Sequence, residues 1–210
     1  GVGKICQGCH LPAYDKLTQS GDVKIVALCD INKERLEEVG KKYPDAKLYT
    51  DYREMIDNEE LDAVDICTPN NIHSQAAVYA LDKGLHVMCE KPAGVYTKQV
   101  LEMNECAKKH DVVFGIMMNQ RTNCIYRKMR EIVQSGEMGA IKRTNWIITD
   151  WYRPRAYYDS GDWRATWSGE GGGVLLNQCP HNLDLWQWIC GMPVKVDAKL
   201  HYGKWHNIEV

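Results

Sequence analysis

The chain opens on Gly1-Val2-Gly3-Lys4-Ile5-Cys6, the spacing of a turn that receives a dinucleotide pyrophosphate. In such a turn the first glycine permits a tight bend and the second lets the backbone approach the phosphates. The third position needs only a small residue for close packing of helix on strand, so Cys6 is acceptable there, with Gly8 close behind. Backbone amides at the start of the next helix, those of Lys4 and Ile5, then face the phosphates. Asp30 ends the following apolar run, with Asn32 and Arg35 just beyond it. A carboxylate at that place accepts hydrogen bonds from both adenosine ribose hydroxyls and repels a 2′-phosphate, which favours NAD. Arg35 could partner such a phosphate and keeps NADP open, and Asp30 can equally be an ordinary helix N-cap. The pair Cys6-x-x-Cys9 has no second cysteine pair or nearby Cys/His pair to complete a zinc site, so no metal is expected.

The elements that must position these residues follow from hydrophobic periodicity. Residues 23–29 form a nearly continuous β-rich run, as a strand buried on both faces should. Leu36, Val39 and Tyr43 then recur at helical spacing, with Glu37/Lys41 and Glu38/Lys42 as favourable i,i+4 pairs. Short strands at 47–50, 63–68, 85–89 and 112–118 alternate with helices at 51–57, 72–83 and 97–110. This β-α alternation argues for an α/β fold with a doubly wound parallel sheet. In that fold a central strand feeds the glycine turn, and none stands before Gly1, so the first strand is expected to be missing. After about residue 120 the texture changes. A helix at 123–135 precedes a strand pattern at 141–152, an aromatic, Gly-rich stretch at 153–173, a helix at 174–190 and a strand at 194–202. The expected domains are therefore 1–120, Rossmann-type, and 121–210, an α+β region.

Composition narrows the class. The chain has 210 residues with 28 acidic against 26 basic side chains, a balance that gives no reason to expect a nucleic-acid partner. No apolar run approaches the roughly 20 residues that cross a bilayer, and Lys4, Gln7 and His10 interrupt any signal-peptide core. Nine scattered cysteines make a poor disulfide framework and point to reduced thiols in a cytoplasmic protein.

Two further clusters, Thr68-Pro69-Asn70-Asn71-Ile72-His73 and Glu90-Lys91-Pro92, each follow a predicted strand. Together with Gly1-x-Gly3, Asp30 and the later Gly171-Gly172-Gly173…His181 segment, they make the sequence resemble the Gfo/Idh/MocA oxidoreductases, the glucose–fructose oxidoreductase and inositol dehydrogenase family. The resemblance covers essentially the whole chain. It implies a Rossmann domain, then an α+β domain on an open, mostly antiparallel sheet that serves substrate binding and oligomerisation, with the active site between the two. It also implies longer proteins, so both ends are expected to be truncated and the chain by itself a poor enzyme.

The resemblance further implies an NAD(P)-dependent enzyme that moves a hydride between nicotinamide and a secondary hydroxyl of a sugar, sugar derivative or cyclitol. Lys91 resembles the catalytic lysine, with Glu90 beside it. Beside a cationic nicotinamide its ammonium is disfavoured, which suits it to accept or relay a proton. His181 resembles the histidine at the reacting hydroxyl. Its ordinary pKa suits acid–base work near neutrality. Many members carry an aspartate where this chain has Asn177, which can hydrogen-bond but cannot stabilise an imidazolium by charge. That departure makes Lys91 the expected base, with His181 assisting. Thr68, Pro69, Asn70, His73, Glu90, Lys91 and Asn119 fall where the family lines its cofactor. Tyr157, Trp163 and Arg164 offer the aromatic and polar contacts that bind polyhydroxylated rings. Two rival readings stand: an NAD-dependent glycosidase-type reaction through a transient ketone, and a non-catalytic nucleotide-binding protein.

Overall fold

The computed structural model describes residues 1–149, 152–201, 206 and 208–210. The chain divides into two compact units, Gly1–Ile116 and Met117–Val210.

The first unit opens with a π-helical stretch, Cys6–His10, continued by α1 (Leu11–Gln19). It then alternates β1 (Ala27–Cys29), α2 (Lys33–Gly40), β2 (Lys47–Tyr49), α3 (Tyr52–Asn58), β3 (Ala63–Ile66), α4 (His73–Asp82), β4 (His86–Cys89), α5 (Thr97–Ala107) and β5 (Phe114–Ile116). The helix starts are chemically marked. Asn32 accepts from the Arg35 amide at 2.8 Å and Asp51 from the Arg53 amide at 2.8 Å, each meeting an amide without a helical partner. Gly84, with φ of +76°, supplies the left-handed residue that releases the chain from α4 into β4.

All the described strands pair in parallel. β1 lies beside β2 with Ala27 opposite Lys47. β3, β4 and β5 form a second ladder with Ala63 opposite His86 and Val87 opposite Phe114. β1 is shorter than the apolar run 23–29 because its partner β2 offers only three residues to pair with.

Two apolar clusters hold the unit. One gathers Leu81, Met103, Val87, Cys89, Ala77 and Ala80, several of them fully excluded from solvent, around β3–β4 and helices α4 and α5. The small residues of α4 let it approach its neighbours closely. The other joins Val2, Cys6, Leu11, Leu28, Leu36, Val39 and Cys67, so the glycine turn is itself anchored by burial.

The second unit contains a 3₁₀ turn (Asn119–Thr122), α6 (Cys124–Ser135), α7 (Arg155–Tyr158), α8 (Trp167–Glu170), α9 (Val174–Asn177) and α10 (Pro180–Cys190). The single helix expected over 174–190 is two. Pro180 has no amide to donate and displaces Cys179 to φ −101°, ψ 8°, outside the helical region, so α10 begins anew. The strand patterns at 141–149 and 194–201 find no ladder partner among the described residues, and the antiparallel sheet expected for this region is not formed among them. Residues 150, 151 and 202 of those patterns lie outside the described residues. Without a neighbouring strand their backbone groups have no ladder, and side chains such as Ile147, Val194 and Val196 face solvent. Among the described residues no helix is long and apolar enough to cross a membrane.

Candidate active site

The glycine turn is stitched to the ends of two strands. The Val2 amide donates to Asp30 Oδ2 at 2.9 Å, and Val2 is buried. A Cβ on Gly1 would lie 3.0 Å from the carbonyl oxygen of Cys67, just past β3, so only glycine fits without a shift of backbone. Gly3 is different. A Cβ there would meet only an Arg35 guanidinium nitrogen at 4.0 Å, which leaves that face of the turn open for a ligand's close approach. Lys4 and Ile5 are exposed beside it at the helix start.

Asp30 is 6% exposed and uses both oxygens locally. Oδ1 accepts from the Asn32 amide at 2.9 Å, and Oδ2 from Val2, with Arg35 Nη1 at 3.3 Å. The alternative of Asp30 as a helix N-cap is overturned: Asn32 is the cap of α2, and Asp30 is freed for the turn. Each carboxylate oxygen has two lone pairs, so Asp30 can still accept from further hydroxyls. Thr68 Oγ1 and Asn71 Oδ1, in the loop after β3, are buried polar atoms without a hydrogen-bond partner among the described residues. Thr68 lies against Gly1. An open glycine face, an adjacent carboxylate and unsatisfied polar atoms fit a dinucleotide.

Beneath the turn lies a charged cluster that the sequence reading missed. His10, 6% exposed, closes the π-helical stretch with Nδ1 2.7 Å from Asp65 Oδ2 and Nε2 2.9 Å from Glu90 Oε1. The hydrogen bonds to Asp65 and then Glu90 outweigh the cost of burial and push its pKa up to about 10. The only signal in the sequence was a histidine on the buried face of the first helix. Glu90 Oε2 also accepts from the Lys91 amide at 3.1 Å. Lys91 itself is half-buried, at the end of β4.

His73 was expected at the cofactor, and its ring is fully engaged elsewhere. Nδ1 lies 2.7 Å from the Pro92 carbonyl and Nε2 2.8 Å from that of Thr68, with 1% exposure. It ties the Thr68 and Glu90-Lys91-Pro92 loops together, and burial lowers its pKa against the pull of those carbonyls. Asn70, between them, is buried, and Pro69 begins a 3₁₀ turn at Asn70–Ile72.

In the second unit Tyr157 is a hub. Its hydroxyl accepts from Arg164 Nη1 at 2.8 Å and Gln178 Nε2 at 3.1 Å, and its ring lies 4.4 Å from both the Arg153 and Arg164 guanidiniums. Arg164 also covers Trp163 at 4.4 Å. Cations stacked on π-faces hold this segment in place. His181 occupies the first turn of α10, half-buried, and Asp184 one turn on receives Arg121 Nε at 2.8 Å. Asn177 sits on α9, separated from His181 by the break at Pro180, so a dyad along one helix is not what the chain builds. Its amide donates to Glu170, a buried carboxylate that the sequence reading passed over in the Gly-rich run Gly169-Glu170-Gly171. Asn119 starts the 3₁₀ turn with its side chain exposed.

Residues 1–118 match the oxidoreductase family with an NAD-binding Rossmann fold, and residues 126–210 match the GFO/IDH/MocA C-terminal domain. The chain is 29% identical to D-glucoside 3-dehydrogenase of Escherichia coli over 205 residues, 96% of this chain and 55% of that protein. It is 29% identical to myo-inositol 2-dehydrogenase of Thermotoga maritima over 181 residues, 86% of this chain and 52% of that one. It thus spans about half the length of these curated relatives. The WlbA dehydrogenase of Chromobacterium violaceum, solved with NADH and UDP-GlcNAcA, superposes with a TM-score of 0.81 at 27% identity, over 91% of this chain and 54% of that one. On these matches the chain belongs to the Gfo/Idh/MocA family of NAD-binding oxidoreductases.

Proposed function

We propose that this chain is the nucleotide-binding and part of the substrate-binding portion of an NAD-dependent dehydrogenase acting on a secondary hydroxyl of a sugar, sugar derivative or cyclitol. The observation that carries the reading is Asp30, a buried carboxylate held against the glycine turn by the Val2 amide, the kind of position from which a carboxylate can accept from adenosine ribose hydroxyls. NAD is preferred to NADP because a 2′-phosphate would meet that carboxylate, and the nearest cation, Arg35, already pairs with it.

Nicotinamide, when bound, supplies the hydride acceptor. Lys91 receives the hydroxyl proton at Nζ, its backbone fixed by Glu90, which His10 in turn holds. His181 hydrogen-bonds the reacting oxygen, while Asn177 and Glu170 steady the loop before it. Trp163 and Arg164 give the sugar ring an aromatic face and a fork of donors, with Tyr157 fixing Arg164. Exposed apolar side chains on the second unit, Ile147, Val194 and Val196 among them, support a self-association surface in a cytoplasmic homo-oligomer.

The test is a screen of sugars and cyclitols with NAD and NADP, using the complete open reading frame. Substrate-dependent formation of NADH supports the reading. Release of a product with no net NADH would favour the transient-ketone alternative, and tight NAD binding with no turnover a binding protein.

A further inference from the structure

Away from the loops at the strand C-termini, at the far ends of α4 and α5, three side chains of metal-ligating type converge. Cys106 stands in the last turn of α5, and His110 lies in the turn that follows the helix, three residues past its last residue. Asp82, the last residue of α4, faces both. Its Oδ1 lies 3.2 Å from Cys106 Sγ and 3.3 Å from His110 Nε2, and the three ligand atoms all lie within 4.8 Å of one another. A tetrahedral zinc ion with bonds of about 2.0–2.3 Å keeps its ligands about 3.3–3.7 Å apart, a spacing the two Asp82 separations already approach and to which Cys106 and His110, within 4.8 Å of each other, would close. Cysteine spacing alone does not reveal this set, because Asp82 comes from a different helix.

The donors suit a borderline cation. One sulfur, one imidazole nitrogen and one carboxylate oxygen match zinc better than the oxygen-only shells of magnesium or calcium. Access is asymmetric. Cys106 is 5% exposed at the back of the cluster, whereas Asp82 is exposed and His110 partly so, leaving an entry path from solvent.

We propose that Asp82, Cys106 and His110 form a site for a single zinc-like divalent cation, with water in the fourth position, clipping the end of α4 to the end of α5. Binding involves no redox change. Cys106 ligates as the thiolate, its proton passes to solvent, and the six-coordinate aqueous ion sheds all but one of its bound waters as three protein ligands complete a tetrahedral shell. This site is independent of the nucleotide turn and of the dehydrogenase reading.

The experiment is a titration of the metal-free chain with Co²⁺, followed by absorption spectroscopy. The wild type should gain a thiolate-to-cobalt charge-transfer band and tetrahedral visible bands that saturate at one equivalent and are displaced by Zn²⁺. C106S should abolish the charge-transfer band. H110Q, altered at a partly exposed position and so expected to fold, should weaken binding at least tenfold. Zn²⁺ should raise the Tm of the wild type and not that of H110Q. The variant C9S/C124S, which removes the two exposed thiols, should keep the band. Absence of the band in the wild type overturns the proposal. So does a band that survives unchanged in H110Q, or one that is lost in C9S/C124S.

Discussion

His10 and Glu90 are 80 residues apart in sequence and 2.9 Å apart in space, the imidazole joining the helix after the glycine turn to the end of β4. The other ring nitrogen lies 2.7 Å from Asp65. One cation between two carboxylates thus fastens the nucleotide turn to the residue that precedes Lys91, and Glu90 passes the constraint on through the Lys91 amide. The proposed proton carrier and the cofactor cradle share a single buried tie.

Removing that tie exposes its worth. His10→Gln leaves Asp65 and Glu90 facing each other in a buried site, and breaking a buried pair in this way costs about 3–5 kcal/mol, readable by urea unfolding. The pH dependence has a definite sign. The folded pKa of His10 is raised from 6.5 to about 10, so its stabilisation is full below about 6.5 and is lost as pH rises through about 10. The stability gap between wild type and H10Q should therefore narrow over that interval. A gap that stays constant across it would show that His10 carries no charge in the fold.

Lys91→Ala should separate chemistry from binding. The backbone that carries Lys91 is held by Glu90 and by the His73 clasp on Pro92, neither of which the substitution touches. In the complete protein kcat should fall at least a hundredfold with the Kd for NAD within threefold of wild type, consistent with loss of a general acid–base group. Wild-type turnover in the variant would remove Lys91 from the mechanism.

Two glycines should respond oppositely to the same change. A Cβ on Gly169 would lie 2.3 Å from the Trp163 carbonyl oxygen, where only backbone could yield, so Gly169→Ala should cost about 1–3 kcal/mol or more. A Cβ on Gly8 would meet nothing within 4 Å, and there alanine should stabilise the helix by about 0.5–1 kcal/mol. Thermal unfolding distinguishes the two directly: a lower Tm for the first, a higher Tm for the second.

The parallel architecture was legible because each strand is a short β-rich run and each helix carries its own punctuation, as with Asn32 before α2 and Gly84 after α4. Asp30 was legible because a lone carboxylate ending a buried strand needs a reason. Its partner was not: the Val2 contact spans 28 positions and depends on how the turn folds back. His10 and Glu170 were hidden for the same reason, since a buried charge declares itself only when its counter-charge or amide is placed beside it. The helical-turn spacing of Asn177 and His181 assumed a continuous helix, because i,i+4 implies adjacency only there, and Pro180 interrupts it. The segments 141–149 and 194–201 read as strands from their apolar content, but a strand is defined by its neighbour, which no local pattern contains.

The account rests on Asp30 as the residue that recognises the adenosine ribose, and an NADH fluorescence titration of the chain tests this most directly. Hydrogen bonds to a charged group contribute about 1.5–3 kcal/mol each, so Asp30→Ser should weaken NADH binding at least tenfold and narrow its preference over NADPH, with the far-UV circular dichroism unchanged. Unchanged NADH affinity and unchanged discrimination in that variant would contradict it.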